Sequence, residues 1–294
     1  MSQYNALVRK ALQSQATLDN NGEHCSADFR KLASIGARLG QQVRIKRSTG
    51  DYALYTVSEG SDESPDEIVR MAAVARTRLR GGDAFDAVVE TQAIRSDMSD
   101  EQAEQAGEFV ERLDDDDASC RFIAMAPHGG AIEPFTAEQA ERVHDQLESR
   151  RVSSWRCKGF KGGGGAQGAH ERWHITSSDI DERSFPLLRR IADRLFAHAV
   201  SFHGLDGAEI LIGGAAPAKF KLDLKSAIDG AIAGTGISVR IAQPGDKFNG
   251  DDPRNIVNRL CPAHGIQVEQ PSRARHDFGQ AIADAVATFY SRIL

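Results

Sequence analysis

The sequence lacks three features that would point to a membrane or to nucleic acid. Basic residues are not in excess, since 36 Lys and Arg stand against 42 Asp and Glu and give a net charge of −6, whereas proteins that coat nucleic acid or anionic membranes need a basic surface. The apolar run AEILIGGAAPA is far shorter than the roughly 20 residues of a transmembrane helix. The start, MSQYNALVRK, has neither the apolar core nor the cleavage site of a signal peptide. We therefore expect no nucleic-acid partner, no membrane association and a cytoplasmic location.

Cysteine is also scarce. The four cysteines are widely spaced and include no CxxC pair; they are Cys25, Cys120, Cys157 and Cys261. This pattern excludes a disulfide framework and a cysteine-type zinc site, and it fits a reducing compartment. The composition, 40% hydrophobic and 27% charged, is that of an ordinary globular protein rather than a disordered one. We find no internal repeat, and no pattern that indicates an oligomeric state.

A run of four aspartates, Asp114–Asp117, is the clearest break in composition. Like charges in a row repel one another and are typical of a solvated connector. We therefore predict two domains, an N-terminal α/β domain of unknown role over 1–117 and a second domain over 118–294. In the first domain, 42–47 and 52–58 read as strands, and Ser64-Pro65-Asp66-Glu67 reads as the start of a helix.

The second domain alternates strands and helices, which predicts an α/β fold with a mostly parallel or mixed sheet. Strands are predicted at 121–126, 152–157, 172–177, 199–202, 208–212, 237–241 and 265–269. Ligands of such sheets bind beyond the carboxyl ends of the strands. Polar residues follow three of the predicted strands at that end: His128, His203 and Glu269.

Two histidines and a glutamate in these positions suggest a metal site. In Pro127-His128-Gly129-Gly130-Ala131-Ile132-Glu133 the two glycines allow a tight turn that folds Glu133 back beside His128. His and Glu are ligands of His₂Glu zinc sites, and His203, before Gly204, supplies a second histidine. The alternative is a glycine-rich turn with a surface histidine. Glu269, at the end of another strand, is placed to serve as the base that zinc hydrolases require, or is a surface carboxylate.

The segment His170-Glu171-Arg172-Trp173-His174 matches the HExxH pattern of zinc proteases, which works only on a helix. It follows Gly162–Gly165 and leads into Ile175-Thr176-Ser177, which favours an extended chain. In a strand the two histidines would lie about 13 Å apart, too far for one ion. We therefore do not adopt this motif. We read the glycine run as a loop, because no helix follows to complete a nucleotide-binding pattern.

Basic and amide residues near two later helices are candidates for substrate binding. Arg259, Arg273 and Arg275 can each bind a carboxylate in bidentate fashion, or lie as solvated charges. Arg259 and Asn258 belong to the segment Asn255-Ile256-Val257-Asn258-Arg259. We predict that Asn258 binds substrate and that Arg259 stabilises charge in the reaction.

Taken in order, these segments resemble the phage-type poly-γ-glutamate hydrolase family. The resemblance covers about 118–294 and rests on five motifs: Pro127–Glu133, His174–Ser177, Ser201–Gly204, Asn255–Arg259 and Gly265–Glu269. It implies a three-layer, zinc-carboxypeptidase-like α/β fold and a zinc-dependent hydrolase of γ-glutamyl amide bonds.

The resemblance also implies roles for individual residues. His128, Glu133 and His203 correspond to the family's zinc ligands, and Glu269 to its general base. His174 corresponds to a histidine that lines the site, and Arg275 to an arginine that binds a substrate carboxylate. The expected cofactor is therefore Zn²⁺ and the expected partner is an acidic polymer or peptide. Two alternatives stay open: a zinc peptidase or deacylase acting on another acidic amide, such as cell-wall peptide, and a non-catalytic phage- or replication-associated binding protein.

Overall fold

The computed structural model describes residues 2–162 and 167–294. Its strands are β1 (Gln3–Lys10), β2 (His24–Asp28), β3 (Gln42–Arg47), β4 (Tyr52–Ser61), β5 (Ile68–Met71), β6 (Ala84–Glu90), β7 (Phe109–Asp115), β8 (Phe122–Gly130), β9 (Val152–Gly159), β10 (His198–Leu205), β11 (Ile210–Gly213), β12 (Val239–Ile241) and β13 (Gly265–Pro271). Its α-helices are α1 (Phe29–Ile35), α2 (Ala73–Arg78), α3 (Asp100–Ala106), α4 (Thr136–Leu147), α5 (Ala169–Trp173), α6 (Pro186–Arg189), α7 (Ala218–Ala231), α8 (Ile256–Leu260) and α9 (Ser272–Ser291). In the described ranges, no helix combines the length and the apolar character needed to cross a bilayer. Gly163–Gly165 of the predicted loop lie outside the described residues.

The chain forms two compact units. Unit 1 comprises Met1–Val110 and Gly159–Pro186, and unit 2 comprises Glu111–Lys158 and Leu187–Leu294. This division differs from the single boundary predicted at 117/118, because the segment 159–186 returns to unit 1. An aromatic cluster accounts for the return: the Trp173 ring stacks on Phe109 at 5.6 Å between centroids and lies 5.4 Å from Tyr52.

Unit 1 is built on a closed barrel of six strands in the order β1-β5-β2-β4-β3-β6. The strands predicted at 42–47 and 52–58 form β3 and β4 and pair in antiparallel fashion. The predicted helix start at Ser64–Glu67 is wrong, because the chain continues into β5, which pairs in parallel with β1 from Leu7 opposite Ile68. Here the strand pairing that closes the barrel outweighs the local pattern of a helix start. The unit is therefore more strand-rich than the α/β domain that we predicted.

Unit 2 contains a seven-stranded mixed sheet in the order β12-β11-β13-β10-β8-β9-β7. The central strand β10 pairs in parallel with both β8 and β13, and β11 runs antiparallel to β13. The α/β class and the mixed sheet are therefore confirmed. The exception among the predicted strands is 172–177, which belongs to unit 1 and contains the end of helix α5.

Strand alternation gives the sheet of unit 2 two different faces. Val200 and Phe202 of β10 pack with Ile266 and Val268 of β13 in a core that also includes residues of α4, α7 and α9. We call this side the α4 face. Because successive side chains of a strand point to opposite sides, the odd-numbered residues of the same strands lie on the other side. We call that side the site face, and it carries Ser201, His203, Gln267 and Glu269.

The acidic run is not a solvated connector, contrary to our prediction. Its first two aspartates end β7 and are paired with arginines of unit 2. Asp114 lies 2.6 Å from Arg156 Nη2, and the Asp115 carboxylate accepts two hydrogen bonds of 2.6 and 2.7 Å from Arg194. The like charges are tolerated because cations from distant parts of the chain neutralise them.

Glu111 is a fully buried carboxylate that fixes the start of α6. Its Oε1 accepts hydrogen bonds from Trp155 Nε1 at 2.8 Å and from the Leu188 amide at 2.6 Å, and its Oε2 accepts one from the Leu187 amide at 2.8 Å. A carboxylate at the first turn of a helix satisfies amides that have no partner within the helix. Glu111 thereby ties β7, β9 and α6 together.

Replacing Glu111 with alanine is expected to destabilise unit 2 by at least about 3 kcal/mol, because three buried donors would lose their acceptor. Denaturant unfolding of the two variants Glu111→Ala and Glu209→Ala measures this loss against a control. Glu209 is a partly exposed residue whose side chain contacts Ser238 and Arg240. Its replacement is expected to lower the free energy of unfolding by less than about 1 kcal/mol. Equal losses in the two variants would contradict the role given to Glu111.

Candidate active site

A cluster of titratable side chains lies where β8, β10 and β13 reach their carboxyl ends. His128 belongs to β8, His203 to β10 and Glu269 to β13, and Glu133 follows β8 in the loop before α4. All four are buried, with 3 to 7% of their surface exposed. The structure thus brings together residues that are far apart in sequence, at the edge of the sheet where the strand pattern predicts a ligand site.

The turn after His128 returns Glu133 to the histidine, as predicted from the two glycines. Gly130 has φ +68°, a conformation that glycine adopts without strain. The Glu133 amide donates a hydrogen bond of 2.8 Å to the His128 carbonyl, which closes the turn. As a result Glu133 Oε1 lies 3.2 Å from His128 Nδ1.

Glu133 also reaches His203, so its carboxylate lies between the two imidazoles. Its Oε2 lies 3.6 Å from His203 Nδ1 and accepts a hydrogen bond of 2.9 Å from the Gly204 amide. The two rings are 5.1 Å apart between centroids. On the other side of its ring, His203 Nε2 contacts Ser201 Oγ at 2.8 Å. We call His128, Glu133 and His203 the His–Glu cluster.

The His–Glu cluster offers the types of donor atom that zinc takes. Zinc takes imidazole nitrogens and carboxylate oxygens at about 2.0–2.2 Å, so ligand atoms around a tetrahedral ion are separated by about 3.3 Å. Each imidazole Nδ1 lies near a different oxygen of Glu133, that of His128 at 3.2 Å from Oε1 and that of His203 at 3.6 Å from Oε2. Ser201 can accept the Nε2–H of His203, which leaves the Nδ1 lone pair for a metal, as hydrogen-bond acceptors beside zinc-binding histidines do.

Glu269 lies beside this cluster, and its two oxygens have different surroundings. His203 and Glu269 are directly paired on the adjacent parallel strands β10 and β13. Glu269 Oε1 accepts a hydrogen bond of 2.7 Å from Gln267 Nε2, whereas the buried Oε2 has no hydrogen-bond partner among the described residues. Burial, and secondly the negative charge of Glu133, raise the pKa of Glu269 well above its ordinary value, against the opposing effects of Gln267 and Arg275. A buried carboxyl of raised pKa is typical of a general acid–base group.

Arg275 brings a positive charge to the same place. It is 8% exposed, and its Nη1 donates a hydrogen bond of 2.8 Å to the Pro134 carbonyl. Burial lowers the pKa of Arg275, while the carboxylates of Glu133 and Glu269 act in the opposite direction. A side chain at position 204 would displace the guanidinium, because a Cβ there would lie 2.6 Å from Arg275 Cζ. Gly204 therefore provides the space that the guanidinium occupies.

Asn258, a predicted substrate-binding residue, is hydrogen-bonded to the backbone. Asn258 uses its amide for the backbone, since Nδ2 donates to the Gly250 and Asp252 carbonyls and Oδ1 accepts from the Ala215 amide. The substrate-binding role predicted for Asn258 stays a prediction.

Arg273 is exposed at the start of α9, where Nη2 donates to the Thr235 carbonyl at 3.2 Å and Nε lies 3.7 Å from Asp277. Neither of these contacts of Arg273 involves the His–Glu cluster. Arg259 is half-buried on α8. The roles predicted for Arg259 and Arg273 stay predictions.

His174 belongs to unit 1, where Glu23 is its partner. Its Nδ1 lies 2.5 Å from Glu23 Oε1, and Glu23 Oε2 accepts hydrogen bonds from the amide and hydroxyl of Thr176. The extended chain predicted for the HExxH segment is wrong. Residues Ala169–Trp173 form α5, and the His170 and His174 rings stack at 4.4 Å. Glu171 accepts a hydrogen bond from the Gly168 amide, and this contact caps the helix.

Two buried amides at the site were not predicted from the sequence. Gln267 contacts Glu269, and Asn255 contacts Gln267 with Nδ2–Oε1 at 2.6 Å. Both residues lie inside the motifs Asn255–Arg259 and Gly265–Glu269, but an amide does not titrate and is not a preferred zinc ligand, so the sequence pattern does not single them out. The signal that could have found Gln267 is its spacing of two from Glu269, which puts both on one side of a strand.

A family model provides independent evidence on identity. The model of the poly-gamma-glutamate hydrolases matches residues 96–286, which is more than half of the chain. The chain belongs to this family. The matched range includes all four residues at the carboxyl ends of β8, β10 and β13, and it begins in unit 1.

The individual proteins that the chain resembles are distant in sequence. The SPbeta prophage-derived UPF0714 protein YoqZ of Bacillus subtilis (strain 168) is 27% identical over 165 residues, which are 55% of this chain and 53% of that protein. The chain thus spans about half the length of this relative. The structure of bacteriophage poly-gamma-glutamate hydrolase is 27% identical and has a TM-score of 0.46, covering 65% of this chain and 96% of the other. A zinc-free structure of YNDL is 20% identical with a TM-score of 0.49, covering 64% and 91%.

Proposed function

We propose that this protein is a zinc-dependent hydrolase that cleaves γ-glutamyl amide bonds in poly-γ-glutamate or a similar acidic polymer. The observation that carries the proposal is the placement of Glu269. Glu269 is a buried carboxyl whose Oε2 has no hydrogen-bond partner among the described residues. It lies on the strand next to His203, one of the two histidines that hold the Glu133 carboxylate between them. Family membership supports the choice of substrate class.

His128, Glu133 and His203 are the residues that would hold zinc. When bound, zinc supplies a Lewis acid that polarises a carbonyl and lowers the pKa of a bound water toward about 7. The protein's own contribution is to keep these ligands in place: the Gly130 turn holds Glu133, and Ser201 holds the His203 ring. In the proposal, these contacts keep the ligands oriented for the metal.

Glu269 moves the proton in the proposed reaction. Its Oε2 accepts a proton from the attacking water, and the resulting carboxyl delivers that proton to the amine nitrogen that leaves. Burial raises the pKa of Glu269, which makes its carboxylate a better acceptor of the water proton. Such general acid–base catalysis contributes about 10²- to 10⁴-fold to the rate.

Arg275 is proposed to bind a carboxylate of the substrate. A γ-glutamyl polymer carries a free α-carboxylate on every residue, and a guanidinium can bind one in bidentate fashion. The net charge of −6 does not oppose this, because capture of an anion depends on the local charge of the cleft. Arg273 is proposed to add to that local charge. Arg259 or His174 is proposed to help stabilise the oxyanion, on the strength of the sequence motifs.

Incubation of poly-γ-glutamate with the zinc-loaded protein tests the function. We expect the polymer to shorten on a gel and expect the Glu269→Gln variant, loaded in the same way, to leave it unchanged. Chelation of the metal is expected to abolish the shortening, and added zinc to restore it. An unchanged polymer with zinc bound would refute the substrate assignment and favour another acidic amide. Zinc binding without hydrolysis of any amide would favour a binding protein.

A further inference from the structure

Three buried side chains on the site face of unit 2 form a continuous chain of hydrogen bonds that ends at Glu269. Asn255 caps the start of α8, where its Oδ1 accepts from the Val257 amide at 3.2 Å. Asn255 Nδ2 donates to Gln267 Oε1 at 2.6 Å, and Gln267 Nε2 donates to Glu269 Oε1 at 2.7 Å. The three side chains are 6, 5 and 4% exposed.

The direction of this chain is fixed by the backbone. An amide N–H can only donate, so the Asn255 atom that faces Val257 must be the oxygen. The Asn255 nitrogen therefore faces Gln267, and the Gln267 atom that meets it must be an acceptor. It follows that Gln267 presents its nitrogen to Glu269. No other assignment of the two amides satisfies the helix cap.

The chain of bonds makes the two oxygens of Glu269 different. Oε1 accepts the Gln267 hydrogen bond, and Oε2 has no partner in the part of the protein that the structure describes. A hydrogen bond on Oε1 restricts rotation of the carboxylate and so keeps Oε2 in one position. Proton transfer requires such a fixed position, because its efficiency falls steeply with misplacement of the acid or base.

We propose that Gln267 and Asn255 are positioning residues that orient Glu269 for proton transfer. The proposal rests on the proposed function, in which Glu269 is the base. Gln267 acts directly on the carboxylate, and Asn255 acts through Gln267 by fixing the direction of its amide. Neither residue touches the atoms that react.

The variant Gln267→Met tests the first step, because methionine has nearly the same shape and cannot donate. We expect a fall in kcat of about 10- to 100-fold with unchanged KM and zinc content. The matched control is Gln139→Met. Gln139 is a buried glutamine whose amide pairs with Gln270 at 2.8 Å. Gln270 is even-numbered and lies on the α4 face, so the control should lose similar stability but keep kcat within about twofold.

The variant Asn255→Asp tests the second step. Aspartate keeps the oxygen that caps Val257 but cannot donate to Gln267, so the helix start is retained while the chain of bonds is broken. In ¹H–¹⁵N spectra of the metal-free protein we expect the Gln267 side-chain amide signals to move in Asn255→Asp and in Glu269→Ala. The Gln139 amide signals should stay in place in both variants.

The outcomes separate this proposal from the proposed function. An active wild type in which Gln267→Met and Gln139→Met have equal kcat would refute the positioning role and leave the function intact. Side-chain amide signals of Gln267 that keep their chemical shifts in Asn255→Asp would refute the directed chain of hydrogen bonds. A zinc-loaded wild type that hydrolyses no amide would refute the function, and with it any catalytic purpose of the two amides.

Discussion

Glu269→Gln is expected to lower kcat on poly-γ-glutamate by about 10²- to 10⁴-fold, while the protein keeps its zinc and its fold. Glutamine has the size of glutamate and can still accept the Gln267 hydrogen bond at Oε1. It cannot accept a proton from water at the position of Oε2, so the acid–base contribution is lost. Zinc content by metal analysis and initial rates at saturating polymer measure the two effects separately.

The matched control for this variant is Glu111→Gln, which changes another buried carboxylate of unit 2. Glu111 binds three donors of the protein itself. Its amide analogue should lose stability and keep kcat, the reverse of what Glu269→Gln should do. Wild-type turnover in Glu269→Gln would show that the proton is carried by another group, and the base assignment would be abandoned.

His203→Ala is expected to remove zinc and with it all hydrolysis. A His–Glu cluster without its second imidazole has one histidine and one carboxylate, fewer protein ligands than catalytic zinc sites use. Changes beyond the first ligand sphere already cost 10- to 100-fold in affinity, so loss of a ligand should cost more than about 100-fold. Zinc retained after dialysis, measured per chain, should fall from near one to near zero.

His198→Ala is the control on the same strand. His198 begins β10, and its ring stacks on Phe220 at 5.4 Å and lies 5.0 Å from His264, away from the carboxyl end of the strand. Both alanine variants create a small cavity and should lose stability. Only His203→Ala should lose the metal. Full zinc occupancy in His203→Ala would remove His203 from the ligand set.

The parts of the site that the sequence could predict are those that depend on strand periodicity and on one tight turn. An apolar strand followed by His128, and another followed by His203, are local patterns. The rule that ligands bind at the carboxyl ends of strands then places them together. The Gly130 turn is also local, because glycine is the residue that adopts its positive φ without strain. These positions needed no knowledge of distant contacts.

The errors occur where a distant partner decides the local structure. The acidic run looks solvated until Arg156 and Arg194 are known to lie beside it. The capping signal at Ser64 is genuine as a pattern, but the pairing of β5 with β1 prevails over it. Segment 159–186 joins unit 1 because Trp173 stacks on Phe109, 64 positions earlier in the numbering. No window of sequence contains that information.

The two amides of the site illustrate a different limit. Asn255 and Gln267 are 12 residues apart, and each is ordinary in its own segment. Their importance lies in the direction of their hydrogen bonds, which depends on the Val257 amide. Sequence patterns identify groups that titrate or bind metals, whereas orientation is a property of the assembled site.

The interleaving of the two units has a consequence for synthesis on the ribosome. Strands β1–β6 leave the ribosome first, but the aromatic cluster of unit 1 waits for Trp173. By then β8 and β9, which belong to unit 2, have already emerged. Unit 1 therefore cannot complete its folding before part of unit 2 has been synthesised. A nascent chain released at residue 158 would contain the strands of the barrel without the segment 159–186. It would also contain β8 and β9 without β10, the central strand of their sheet.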